Sequence, residues 1–382
     1  GHPPSVSLHT RPIGRATLRS MSARAVIAVF TLLLVAACGP QPGGPHTYAV
    51  TPIVGSPQIR GVAYHGMWIS RSDADRAAIL DAIAASGVGW VRLDVGWSTL
   101  QPDPQAGFTG VGVEQLDVRL REISERGLSA LVMLWWAPAW SSGTDDKRGV
   151  PADPKDYAAA AAWMVQRWPE QIAALQVWNE PNLPEFFAGT SAVDYARLLK
   201  ATYPAVKGVR PDLTVVSAAP ANLDAAWYED FFDAGAVGSY DALGAHPYPV
   251  VGDLPADQCA VRVDSGCNLD WLVRYKAING DPNSPIWVTE FGYSVHADDP
   301  RLPAWQAGVT EQQQAEYTAD MLAYFGSLPS IEAAYVYRDR DFDDVDVHQD
   351  GFGILRSDNT TKPVYSVLTC SPATRCAELA AP

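Results

Sequence analysis

From about residue 59 onward the chain alternates between short apolar runs and longer amphipathic stretches. Eight of the runs are rich in β-branched, aromatic and small apolar residues and read as strands: 61–64, 90–95, 130–135, 175–178, 214–218, 242–245, 286–290 and 333–337. Between them, apolar positions at helical spacing cover 72–86, 115–126, 154–168, 192–209, 226–234, 269–278 and 311–325. Several of these segments carry start and stop signals. Asp153 stands before Pro154, whose missing N–H is no loss in a first helical turn; Thr310 and Gln313 have capping-box spacing; Gly87, Gly127 and Gly326 follow helix ends. Eight strands alternating with helices predict an α/β protein with one (β/α)8 (TIM) barrel domain. In such a barrel the chemistry gathers where strands run into the following loops. The longest of those loops are 137–153, 247–268 and 292–309.

Two carboxylates fall at such exits. The apolar run 173–178 stops at Asn179-Glu180-Pro181-Asn182, and the run 286–289 ends on Glu290 before Gly292 breaks it. A pair of glutamates at the same end of one barrel suggests acid/base chemistry. Arg92 and Asp94 lie on one face of the second strand, where they can pair inside the barrel. His246 and Tyr248 straddle Pro247 after the sixth strand, placed to hydrogen-bond Glu290 and a ligand. Trp97, Trp135, Trp136, Trp140 and Trp305 fall at or just beyond strand ends, where flat rings either stack on a ligand or fill the core. Trp163 and Trp168, on a helix, read as core.

The Asn179-Glu180-Pro181 of the fourth strand, the Thr289-Glu290-Phe291-Gly292 of the seventh and the His246-Pro247-Tyr248 of the sixth resemble clan A of the glycoside hydrolases. The chain is most similar there to families 39 and 5, including the bacterial exopolysaccharide hydrolases related to family 39, over about residues 60 to 365. The resemblance implies a retaining hydrolase with Glu180 as general acid/base and Glu290 as nucleophile, their carboxyl groups ~5 to 5.5 Å apart. It also implies that Asn179 binds the sugar 2-hydroxyl and that Arg92 keeps the nucleophile ionised; position at strand exits adds His246, Tyr248, Trp135, Trp140 and Trp305 to the expected substrate site. Many members carry a tryptophan at the end of strand eight; here Tyr337 stands in its place. The expected substrate is an oligo- or polysaccharide outside the cell or in its envelope. A carbohydrate-binding lipoprotein without turnover and a transglycosylase using the same residues are the rival readings.

The N-terminus changes the picture of location. Arg15, Arg19 and Arg24 precede the apolar stretch 25–37, which ends in small residues before Cys38 and resembles a bacterial lipoprotein signal with Cys38 as the lipidated residue. Met21 is a candidate start, leaving 1–20 as an upstream extension. Residues 38–58, rich in proline and glycine, suit a tether, and 59–382 the catalytic domain. The expected protein is therefore exported, either held outside the cytoplasm by its lipid or secreted, and monomeric. Four cysteines remain, and their spacing pairs Cys259 with Cys267 and Cys370 with Cys376, although four allow three pairings and a zinc site is a weaker rival.

Charge narrows the partners. Removing 1–37 takes four arginines and no acids, leaving a net charge of −19, which argues against nucleic acid or an anionic membrane surface. Asp339, Asp341, Asp343 and Asp350 follow a calcium-loop spacing, but Asp344 replaces the loop's glycine and Asp350 its bidentate glutamate. These acids read as cleft-lining or solvent-facing, and no metal or cofactor is expected.

Overall fold

The computed structural model describes residues 57–343 and 346–369. Its eight strands are β1 (Ile59–Tyr64), β2 (Trp90–Gly96), β3 (Ser129–Trp135), β4 (Ile172–Val177), β5 (Thr214–Val216), β6 (Leu243–Ala245), β7 (Ile286–Phe291) and β8 (Ile331–Val336). All the pairings are parallel, in the order β5-β4-β3-β2-β1-β8-β7-β6. The two ends of that order meet through a parallel bridge between Val216 and Ala242, with Ser217 N–H donating to Ala242 O at 3.0 Å. The sheet is thus the (β/α)8 barrel that the alternating pattern predicts.

Helices follow the strands because each has one apolar face to bury against the sheet. Asp153 caps Pro154–Arg167 through the Lys155 N–H, and Thr310 with Gln313 forms a capping box on Glu311–Gly326. Gly326 falls inside that last helix, not after it; Ser327 takes the cap position. The helix expected from residue 115 begins at Val111, and short helices at Trp97–Leu100, Ala139–Ser142, Ala256–Val261, Val347–Asp350 and Pro363–Thr369 add to the pattern. These are too short for a 3.6-residue period to show in sequence.

A shell of apolar side chains lies between sheet and helices, and a second, smaller cluster of Leu131, Ala174, Val216, Ala242, Trp287, Ala333 and Tyr335 packs apart from it. Six of these sit on strands at the positions that alternate inward and Ala242 sits just before β6, so they plug the barrel interior. Gly61 makes room for the Tyr335 ring: a Cβ there would come within 2.4 Å of it. Above this plug the inward residues turn polar, with Arg92 on β2, Gln176 on β4 and Thr289 on β7.

The Cys259–Cys267 disulfide is present in the loop after β6, with both cysteines fully buried. Cys38, the segments 1–37 and most of 38–58, Asp344 and the Cys370–Cys376 pair lie outside the described residues. Among the described residues no helix is long and apolar enough to cross a membrane.

Candidate active site

β4 delivers Glu180 through a distorted exit. Trp178 and Glu180 have φ of 71° and 36°, left-handed values that cost on the order of 1 to 3 kcal/mol each for residues with a Cβ. Neighbouring bonds hold them there: Trp178 N–H donates to Leu134 O at 3.0 Å, its indole N–H to Phe186 O at 3.0 Å, and Leu183 N–H to Glu180 O at 3.0 Å. β7 delivers Glu290 differently. In a regular strand Thr289 and Glu290 point to opposite faces. Here the pairing of β7 with β8 shifts between Val288 and Phe291, and both side chains reach the same polar centre.

Arg92 organises that centre. Its Nη1 donates to Glu290 Oε1 at 2.5 Å, its Nη2 to Asn179 Oδ1 at 2.7 Å and its Nε to Gln176 Oε1 at 2.7 Å. Because a guanidinium can only donate, Asn179 turns its oxygen toward Arg92 and its NH2 away from it. The pairing of Arg92 with Asp94 considered from sequence is not what forms. Asp94 instead accepts from Trp68 Nε1 at 3.0 Å and pairs with His65 Nδ1 at 3.0 Å.

Tyr248 and His246 divide the two glutamates between them. The Tyr248 hydroxyl donates to Glu290 Oε2 at 3.0 Å, as expected. His246 corrects the expectation: its Nδ1 lies 2.8 Å from Glu180 Oε1 but 3.8 Å from Glu290, so it serves the first glutamate. One ligand atom from each of Glu180, His246 and Glu290 lies within 4.8 Å of the others. A metal could be held by such a set only in competition with these hydrogen bonds.

The environment splits the two carboxyls. Burial raises the pKa of Glu180, opposed by its contact with His246 and aided by the nearby charge of Glu290, and the net direction is up. Burial also pushes Glu290 up, but a protonated His246, the Arg92 guanidinium and the Tyr248 hydroxyl act against it and the net direction is down; of these, Arg92 is positive whatever the state of His246. Two like groups with oxygens within 4.8 Å of each other are thereby pushed in opposite directions.

The aromatic residues separate into two groups. Trp97 is fully buried against Trp140 and Tyr157 and belongs to the core, and Trp140 donates its indole N–H to Gln101 O at 3.0 Å from a partly buried position in the same wall. Trp135 is buried and stacks on Trp136, with ring centroids 4.0 Å apart. Tyr337 meets Tyr248 edge-on at 6.3 Å, beside the glutamates, and burial pushes its hydroxyl up to about 12. A file of rings runs from Tyr248 through Phe352 and His348 to Trp305, which is 49% exposed at the rim. Asp339 is buried in a bidentate pair with Arg71, and Asp341 pairs with Lys362, so these two acids are engaged in ion pairs.

Sequence reading missed His65, Trp68 and Gln176, and took Thr289 only as part of the motif around Glu290. His65 and Trp68 follow the exit of β1, and the rule that strand exits carry chemistry would have found them. Gln176 and Thr289 lie inside runs that read as plain strand.

The chain thus joins a (β/α)8 barrel to two buried glutamates at its strand exits. Residues 162–374 match the model of Glycosyl hydrolases family 39, and the chain belongs to that family. It is 25% identical over 248 residues to a protein named beta-xylosidase from Geobacillus stearothermophilus, covering 58% of this chain and 47% of that one. It thus spans about half the length of that relative. Among solved structures it is similar to a family 39 glycoside hydrolase from the gut symbiont Bacteroides cellulosilyticus, at 23% identity and a TM-score of 0.62, over 82% of this chain and 64% of that one. It is also similar to a monomeric beta-xylosidase from Caulobacter crescentus, at 17% identity and a TM-score of 0.62, over 84% and 69%. At those identities the structural likenesses establish the fold.

Proposed function

We propose that the protein hydrolyses O-glycosidic bonds with retention of anomeric configuration, with Glu180 as general acid/base and Glu290 as nucleophile. The observation that carries this reading is the spacing of the two carboxylates. One oxygen of each lies within 4.8 Å of one of the other, close enough for the ~5 to 5.5 Å separation of carboxyl groups in a retaining pair. In the first step Glu290 attacks the anomeric carbon while Glu180 protonates the departing oxygen. In the second, Glu180 takes a proton from water, and that water displaces Glu290. Ionised Glu290 is ready to attack and protonated Glu180 ready to donate, the states that their opposite shifts favour. As Glu290 becomes an ester its charge is lost, the proton on Glu180 is held less tightly, and the same residue turns from acid to base.

The remaining parts follow from position. The Asn179 amide N–H groups, turned away from Arg92, serve the sugar 2-hydroxyl. Tyr337 closes the subsite beside Tyr248, and Trp135, Trp140 and Trp305 supply ring faces along the cleft. The domain of residues 59–382 acts outside the cytoplasm on an oligo- or polysaccharide, tethered by 38–58 to a lipid on Cys38. The protein works as a monomer without metal or cofactor.

The test is a panel of aryl glycosides beginning with the β-xyloside, followed by proton NMR of the first-formed product. Retained configuration is expected, with a 2-fluoro glycosyl trap labelling Glu290; inverted product would end the proposal. Glu180→Gln should lose most activity on poor leaving groups, keep formation of the covalent intermediate from activated ones, and be partly rescued by azide.

A further inference from the structure

Gln176 and Thr289 occupy a layer beneath the two glutamates, and the direction of every hydrogen bond in that layer can be derived. The starting point is again that a guanidinium only donates. Arg92 Nε donates to Gln176 Oε1 at 2.7 Å, so Gln176 presents its oxygen to Arg92 and its amide nitrogen to the other side. That nitrogen has two hydrogens and two acceptors, Ser217 O at 3.2 Å and Thr289 Oγ1 at 3.0 Å. Thr289 is fully buried and accepts from Gln176, which leaves it one proton to place. His246 Nε2 stands 2.9 Å from the same hydroxyl. Were Nε2 to carry a hydrogen, the proton of the buried Thr289 hydroxyl would have no acceptor among the side chains around it, a costly arrangement that buried hydroxyls avoid.

We infer that Gln176 and Thr289 are positioning residues that fix the neutral tautomer of His246, with its proton on Nδ1, and thereby aim an N–H at Oε1 of Glu180. Nδ1 is 2.8 Å from that oxygen. With Oε1 engaged as an acceptor, the proton of the acid is confined to Oε2, the oxygen left for the glycosidic bond. The opposite tautomer would put a lone pair on Nδ1 and draw the acid proton onto Oε1, away from the substrate. Arg92 therefore acts on both glutamates, on Glu290 directly and on Glu180 through a chain of three side chains. The catalytic consequence rests on the proposed role of Glu180; the tautomer does not.

The tautomer can be read in the intact protein. Two-bond proton–nitrogen correlation spectra of the 15N-histidine-labelled chain distinguish Nδ1–H from Nε2–H, and His246 is assigned by its absence in His246→Gln. The wild type is expected to show Nδ1–H, Thr289→Ser to keep it, and Thr289→Val to lose it. Thr289→Val should also lose about tenfold more kcat/KM on glycosides with poor leaving groups than on activated aryl glycosides, and Thr289→Ser should reverse that selective loss. An Nε2–H pattern in the wild type overturns the inference without recourse to any variant. So does an Nδ1–H pattern that survives Thr289→Val, or an equal loss on both kinds of substrate. If the tautomer behaves as stated while Glu180→Gln shows no dependence on the leaving group, the acid/base assignment falls and the positioning chain stands.

Discussion

Replacing Tyr248 with Phe isolates one hydrogen bond at the proposed nucleophile. Glu290 has two direct side-chain donors, Arg92 on Oε1 and the Tyr248 hydroxyl on Oε2 at 3.0 Å. The ring itself is held by edge contacts with Tyr337 at 6.3 Å and Phe352 at 6.0 Å, which a phenylalanine keeps, so no cavity opens. What is lost is a hydrogen bond to a charged acceptor in a buried site, worth ~1.5 to 3 kcal/mol. The bond favours the ionised form of Glu290, whose pKa is held down. Without it the folded-state pKa rises toward the ordinary carboxylate range, and activity is lost at a higher pH as the solution is acidified. Spent on the transition state, the same energy amounts to roughly a ten- to hundredfold fall in kcat/KM. The assay is kcat/KM against pH for wild type and Tyr248→Phe on one activated aryl glycoside. A fall in rate with an unmoved acid limb would refute the argument, because the hydroxyl would then be binding substrate and not setting the charge of Glu290.

Arg92→Lys keeps the charge but cannot offer three nitrogens to Glu290, Asn179 and Gln176 at once, so kcat/KM should fall by about a hundredfold or more while the fold persists by circular dichroism. Gly266 has φ +76° and its Cβ would lie 2.7 Å from Tyr248 O; Gly266→Ala should cost about 1 to 3 kcal/mol in denaturant unfolding and shift the acid limb in the same direction as Tyr248→Phe. Cys259→Ser opens the buried disulfide over a sequence separation of 8, with an expected loss on the order of 2 to 3 kcal/mol measured by chemical denaturation against the oxidised wild type.

The barrel was legible because its signal is repeated. Each of β1 to β8 falls on an apolar run that reads as strand, and Asp153 and Thr310 mark helix starts where the caps form. The boundaries that moved did so for local reasons. Val111 begins its helix after Gly110 at φ +92°, a start with no side-chain cap to announce it. Trp97 illustrates a different limit: a tryptophan just past a strand end looks the same in sequence whether it faces a ligand or packs on Tyr157, and only packing decides.

The paired glutamates could be picked out because strand exits are where a barrel collects its chemistry, and one residue at an exit suffices to mark the place. Partnership between residues is another matter. His246 stands as near in sequence to Tyr248 as it can across a proline, yet the two serve different glutamates, because a ring and a phenol two residues apart diverge as the chain leaves β6. The register shift in β7 that turns Glu290 beside Thr289 is likewise invisible in the apolar run containing it, since a bulge changes the direction of a side chain and not its identity. Gln176 and Thr289 are the limiting case. Either would pass as a polar interruption of a buried strand, a feature that sequence patterning treats as a weakness. In the barrel both sit where Arg92 obliges each donor and acceptor in turn, and the polar atoms that weaken the strand signal are the ones that orient His246.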